Sequence, residues 1–166
     1  MPKEVLPKEV FMKPFIIYYS YSGITRRLAE DIALITDGEL RELKPERPYS
    51  FSYNTAVKEA REEIEKGYCP PLIQVQGAEA IENAELIFIG SPNWLKTFAP
   101  PVRSFLRTVD LSGKTIIPFC THGGGGFGRM IEDYKEECKH SIIKDGIALK
   151  GDYSFDELKA WLDSNL

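Results

Sequence analysis

The chain has 166 residues, 43% hydrophobic and 28% charged, with a formal net charge of −4. That length fits one domain able to bury its own core, and the composition is ordinary for a soluble globular protein. Mild acidity argues against a nucleic-acid partner, since the densest basic spot is only Arg26-Arg27, and no apolar run approaches the length of a membrane span.

Residues 1–14 are expected to form a loosely held extension. They carry a short duplication, Pro2-Lys3-Glu4-Val5 and Pro7-Lys8-Glu9-Val10, and their charges interrupt any signal-peptide core. The three cysteines, Cys69, Cys120 and Cys138, are an odd number without metal-like spacing. Free thiols in a reducing cytoplasm are the simple expectation. From Phe15 the apolar, β-branched run to Tyr19 reads as a buried strand. It ends in Ser20-Tyr21-Ser22-Gly23-Ile24-Thr25, where a helix begins with Ile24, Leu28, Ile32 and Ile35 on one apolar face. Asp37-Gly38 should stop that helix. Glu39 to Leu43 alternates, as expected of an edge strand exposed on one face.

Residues 44–53 read as a loop, and Ala56, Val57, Ala60 and Ile64 mark a helix that Gly67 ends. Leu86-Ile87-Phe88-Ile89-Gly90 is apolar throughout, which suits a strand covered on both faces. The loop Ser91 to Thr97 leads to a helix with Pro100 and Pro101 in its first turn, where a missing N–H costs nothing. Lys114 to Cys120 is the next strand and runs into Thr121-His122-Gly123-Gly124-Gly125-Gly126-Phe127-Gly128. A helix through Met130 and Tyr134 follows. Ile142-Ile143 and Ile147 to Leu149 form a last strand, bent at Asp145-Gly146, and Ser154 to Glu157 has capping-box spacing before the final helix.

Repeated β-α alternation predicts an α/β fold, a three-layer α/β/α sandwich around a five-stranded parallel sheet, as one domain over 15–166. Ligands of such sheets bind at the carboxyl ends of strands. Three strands end there in loops of unusual composition. The first offers hydroxyls from Ser20, Ser22 and Thr25 around Gly23 at a helix N-terminus, where unpaired amides and the helix dipole favour an anion. Helix capping alone would also explain those residues. No lysine or arginine precedes Arg26, which suits a resident phosphate better than a triphosphate carried with Mg²⁺. In the second loop Trp94 is either a core anchor or a platform for a planar ring. In the third, consecutive glycines carry an entropic cost that a plain turn would not need, so a ligand is expected there. His122 either caps that loop or faces the ligand.

Other motifs fail on context. Gly123, Gly125 and Gly128 match a dinucleotide fingerprint but lie near the chain's end. Gly113-Lys114-Thr115 lacks the earlier glycine of a phosphate-binding P-loop, Thr108 standing in its place, and it precedes a strand. A hydrolase reading lacks any Gly-x-Ser-x-Gly.

The order and spacing of the three loops resemble the flavodoxins, specifically short-chain flavodoxin-like proteins, from Phe15 to Leu166. Ser20-Tyr21-Ser22-Gly23-Ile24-Thr25 is similar to that family's phosphate loop for FMN, Gly90-Ser91-Pro92-Asn93-Trp94 to its first flavin-ring loop, and Cys120 to Gly126 to its second. The resemblance implies strand order 2-1-3-4-5, with FMN as cofactor. It further implies FMN contacts from Ser20, Tyr21, Ser22, Gly23, Ile24 and Thr25 at the phosphate. Ser91, Pro92, Asn93, Trp94 and Leu95 would line the ring. Thr121, His122, Gly123, Gly124 and Gly125 would lie at its pyrimidine edge, with Phe127 either covering the ring or packing on the helix.

The implied function is electron transfer between partner proteins through bound FMN. The alternative is an NAD(P)H-dependent oxidoreductase acting on a quinone or other small acceptor. The mild charge and the lack of acid clusters in the ring loops depart from strongly acidic carrier flavodoxins and leave room for that alternative. The expected partners are a redox protein or an NAD(P)H-linked reductase, with no nucleic acid and no membrane, and the chain is expected as a monomer or homodimer in the cytoplasm. No catalytic side chain and no metal are implied.

Overall fold

The computed structural model describes residues 13–75 and 77–166. The extension expected over 1–14 lies outside the described residues except for Lys13 and Pro14, and Pro14 is buried, its carbonyl accepting from Glu39 N–H at 3.1 Å.

The elements alternate as the apolar runs require. They are β1 (Phe15–Tyr18), α1 (Ile24–Thr36), β2 (Glu39–Glu42), α2 (Tyr53–Lys66), a 3₁₀ turn (Ala78–Asn83) and β3 (Leu86–Pro92). Then come α3 (Pro100–Thr108), β4 (Thr115–Thr121), α4 (Met130–Glu137), β5 (Ile142–Ile143), β6 (Ile147–Leu149) and α5 (Phe155–Asn165). The sheet is parallel in the order β2-β1-β3-β4-β5, with β6 also paired to β4.

Strand alternation divides the core between the two faces. Phe15, Ile17, Ile87 and Ile89 point into one cluster closed by Ala60 of α2, Val102 and Phe105 of α3, and Met130 and Tyr134 of α4. Ile16, Phe88, Ile117 and Phe119 point into the other, closed by Leu28, Ala29 and Ile32 of α1 and by Leu158 and Leu162 of α5. The three-layer sandwich with order 2-1-3-4-5 is therefore the observed fold.

Helix α1 stops at Asp37-Gly38 as expected, with Asp37 itself in the left-handed conformation (φ 59). Asp is among the few residues that tolerate this region. The fifth strand is two short segments. Lys144 still donates to Ile116 O (2.9 Å), but Gly146 turns left-handed (φ 70) at a point where a Cβ would lie 2.1 Å from Pro118 O. The chain steps out of register there and rejoins β4 as β6, opposite Phe119 to Thr121. The final helix caps as its spacing predicts, Ser154 Oγ accepting from Glu157 N–H at 3.0 Å.

Candidate functional site

Parallel strands place the ends of β1, β3, β4 and β6 at one edge of the sheet. A cleft of about 600 Å³ opens there. It is lined by Tyr21, Ser22 and Ile24 of the first loop, Pro92, Asn93 and Trp94 of the second, and Thr121, His122 and Gly123 of the third. Tyr53 from the start of α2 and Lys150, Gly151 and Asp152 after β6 complete the lining.

The first loop divides its hydroxyls. Ser20 Oγ turns inward and accepts from Gly23 N–H (3.1 Å) and Arg26 N–H (3.2 Å), so it shapes the loop and does not line the cleft. Thr25 is buried, its hydroxyl bonded to that of Thr121 at 2.7 Å, which ties the first loop to the third. Ser22 alone of the three lines the cleft. Ile24 and Thr25 stand in the first turn of α1, where amides have no helical partner. Among the described residues, the amides of Tyr21, Ser22, Ile24 and Thr25 donate to no other group. Four free N–H groups and a helix dipole at one corner make an anion site.

The second loop is a two-residue hairpin. Trp94 and Thr97 exchange backbone hydrogen bonds at 2.9 and 3.1 Å, and the two residues between them, Leu95 (φ 58) and Lys96 (φ 72), are both left-handed. Neither is glycine, so the turn carries strain of about 1–3 kcal/mol per residue, and the surroundings hold it in place. Ser91, fully buried at the end of β3, accepts from Ala99 N–H at 2.8 Å. Thr97 donates to Asp133 of α4. Asn93 accepts from Lys96 N–H at 3.0 Å and donates to Gly126 O at 2.7 Å, and Arg129 N–H donates to Lys96 O at 2.6 Å. Gly128 lies so close to Lys96 that a Cβ there would stand 2.5 Å from its carbonyl oxygen.

Trp94 is only 3% exposed. Three tyrosines meet it edge-on: Tyr49 at 5.2 Å, Tyr21 at 5.4 Å and Tyr19 at 5.7 Å between ring centroids. The core-anchor reading thus describes most of its surface, and the more open rings on the cleft are Tyr21 and Tyr53, 6.1 Å apart. Tyr21 is fixed by its hydroxyl, which donates to Ser50 O at 2.6 Å, and Tyr49 donates to Glu63 of α2. Burial holds the Glu63 carboxyl above the ordinary glutamate range, the Tyr49 hydrogen bond opposing it.

In the third loop Gly124 N–H donates to His122 Nδ1 at 3.0 Å, which leaves the ring proton on Nε2. His122 therefore caps its own loop and also lines the cleft. Gly123, Gly124 and Gly125 are exposed, and Gly123 and Gly124 have no atom within 4 Å of a would-be Cβ. Of these three only Gly123 lines the cleft. Phe127 packs partly buried against the core near Gly146, away from the cleft, as Leu95 does behind the hairpin. Cys120 is fully buried and burial pushes its thiol up to about 12, so it serves as a small core residue. The residues that motif reading missed are Tyr53 and the 150–152 segment. A signal for the latter existed, because the fifth strand ends at the same edge as the others.

Among the described residues no cluster of three or more His, Cys, Asp or Glu side chains is placed to hold a metal ion, and no helix is long and apolar enough to cross a membrane.

No curated protein matches the chain. Among solved structures it is similar to a Bacteroides eggerthii protein assigned as a flavoprotein, with 26% identity, TM-score 0.79 and coverage of 92% of this chain and 96% of that one. It is similar also to a Lactobacillus acidophilus flavoprotein in complex with FMN (27% identity, TM-score 0.74, 91% and 99% coverage). The NMR structure of the apo-form of the flavoprotein from that organism matches at 28% identity and TM-score 0.62, over 89% and 96% of the two chains. A flavodoxin family model matches residues 13–165, nearly the whole chain. The chain belongs to the flavodoxin family.

Proposed function

We propose that this protein holds FMN in the cleft and passes electrons between partner proteins through it. The observation that carries the reading is the anion corner at the start of α1 opening into the same cleft as an apolar, aromatic wall. A phosphate and a planar ring are the two ends of FMN, and the residues present fit both. The amides of Tyr21, Ser22, Ile24 and Thr25, with the Ser22 hydroxyl, would hold the phosphate. Pro92, Trp94, Tyr21 and Tyr53 would wall the ring on one side, and Thr121, His122 and Gly123 on the other. When bound, FMN supplies reversible one- and two-electron transfer.

The chain's own part is to bind, orient and exclude water. Its polar groups at the cleft are largely engaged in that: Tyr21 on Ser50, His122 on Gly124, Asn93 on Lys96 and Gly126. Among the described residues, Tyr21 and Asn93 beside the aromatic wall are both taken up in this way, which supports a carrier over an enzyme with its own small acceptor. The partners are then a reductase linked to NAD(P)H and an acceptor protein, met in the cytoplasm.

The test is to purify the protein, record its visible spectrum and mix it anaerobically with NADPH or NADH by stopped flow. The expected result is a yellow protein that is not bleached by either nucleotide until a separate reductase is added. Rapid bleaching by nucleotide alone would replace the carrier with a reductase. A colourless protein that takes up no added FMN would refute both.

A further inference from the structure

The fourth wall of the cleft, Lys150-Gly151-Asp152, is built onto the phosphate corner. Arg27 Nη2 of α1 donates to Gly151 O at 2.7 Å, and its guanidinium lies 4.4 Å over the Tyr153 ring. Tyr153 in turn donates to Asp31 Oδ2 at 2.5 Å. Gly151 packs on Ile24, where a Cβ would sit 3.4 Å from two atoms of that side chain. The segment is thus fixed to the first turns of α1, the element whose free amides form the anion site.

The cations near that site are mostly engaged. Arg26 pairs with Glu42 at 2.7 Å, and Arg27 is held by Gly151 and Tyr153. Lys150 lines the cleft and is exposed; its carbonyl accepts from Tyr153 N–H at 3.1 Å, while its ammonium makes no ion pair or hydrogen bond among the described residues. Asp152, on the same wall, does not pair with it. A lysine is a mobile point charge that reaches a phosphate oxygen without fixed geometry. From this arrangement we infer that Lys150 is the counter-charge for the flavin's phosphate and selects a phosphorylated flavin over riboflavin. The inference rests on the FMN reading above. It also changes what the sequence implied about the first loop: that loop brings no cation of its own, and the charge comes from the end of β6.

The experiment is a fluorescence titration of the flavin-free full chain with FMN and, separately, with riboflavin. It is run for the wild type, Lys150→Met and Lys150→Arg, at low and at high salt. In Lys150→Met the affinity for FMN should fall about five- to tenfold, with the affinity for riboflavin unchanged to within about twofold. Lys150→Arg should keep most of the preference for FMN, and added salt should weaken FMN binding less in Lys150→Met than in the wild type. Equal loss of both flavins in Lys150→Met, or loss of neither, overturns the role of Lys150 and leaves the FMN reading standing. A wild type that binds neither flavin overturns that reading and this inference with it.

Discussion

At the α1 end of the cleft the free polar groups are backbone amides, in a loop ordered by Ser20 through hydrogen bonds to residues three and six positions away. At the Trp94 end the wall belongs to an aromatic cluster from four stretches: Tyr19 and Tyr21 after β1, Tyr49 from the loop before α2, Tyr53 from α2 itself, and Trp94, of which Tyr21, Tyr53 and Trp94 line the cleft. The first end is local and small. The second is assembled across the fold and held by a strained hairpin that Asn93, Thr97, Gly128 and Arg129 lock in place. A phosphate can be met by almost any chain that presents free amides at a helix start. A flat ring needs walls whose spacing only tertiary packing can set. Damage at the ring end should therefore cost folding stability as well as flavin affinity, whereas damage at the phosphate end should cost mainly affinity.

The largest effect is expected for Trp94→Ala. Removing a buried tryptophan costs about 3–5 kcal/mol of stability, and FMN binding should weaken as well. Trp161, only partly buried on α5, should lose less on both measures when changed to alanine. Denaturant unfolding and flavin titration of the two variants compare them directly, and equal affinities would refute the place given to Trp94. Gly128→Ala comes next. Its left-handed φ of 60 and the Lys96 backbone against it together predict a loss on the order of 3 kcal/mol, or roughly 6–12 °C in Tm. Ser20→Ala should behave differently, weakening FMN binding about tenfold while stability falls by only about 1 kcal/mol, the usual worth of such a hydrogen bond. A large stability loss here, without a change in FMN affinity, would erase the contrast between the two ends.

The smallest effect concerns pH. Glu63 supports the ring end through Tyr49, and burial raises its carboxyl pKa in the folded chain. A raised acid gives stability that is complete below the unfolded pKa and is lost as pH rises through the folded one. Glu63→Gln carries no charge to desolvate. Its stability relative to wild type should therefore improve as pH rises from below to above the ordinary glutamate range. Parallel unfolding curves across that range would show that Glu63 ionises as freely as a surface glutamate.

The same contrast explains what was legible in the sequence. The free-amide corner at the start of α1 shows itself because the Ser20 hydrogen bonds that shape it lie within a few residues. The sheet order follows from the succession of apolar runs, and α5 announces its start through Ser154 and Glu157. The ring wall was legible only in Trp94 and its loop. Tyr49 and Tyr53 sit in a stretch without periodicity, and nothing local marks that Tyr49 would be drawn onto Trp94 by Glu63. The glycine loop was legible as a whole but not in its parts. Gly128 is required by the Lys96 backbone, whereas Gly123 has open space about it and faces the cleft, a distinction that appears only once the second loop is in position. Lys150 carries no motif, and the one signal for it is its place after the last strand, which ends at the same edge of the sheet as the others.

The central claim is that a flavin phosphate sits on the free amides at the start of α1. It is tested most directly by ¹H–¹⁵N NMR of the labelled full chain, titrated in parallel with FMN and with riboflavin. Both ligands should shift the amides of Asn93 to Leu95 and of Thr121 to Gly123, while those of Gly113 and Lys114, which precede β4 at the opposite edge of the sheet, should stay in place. The difference between the two ligands should concentrate at Tyr21, Ser22, Ile24 and Thr25. Identical shifts for both flavins at those four amides, or FMN-induced shifts confined to other parts of the chain, would contradict the account.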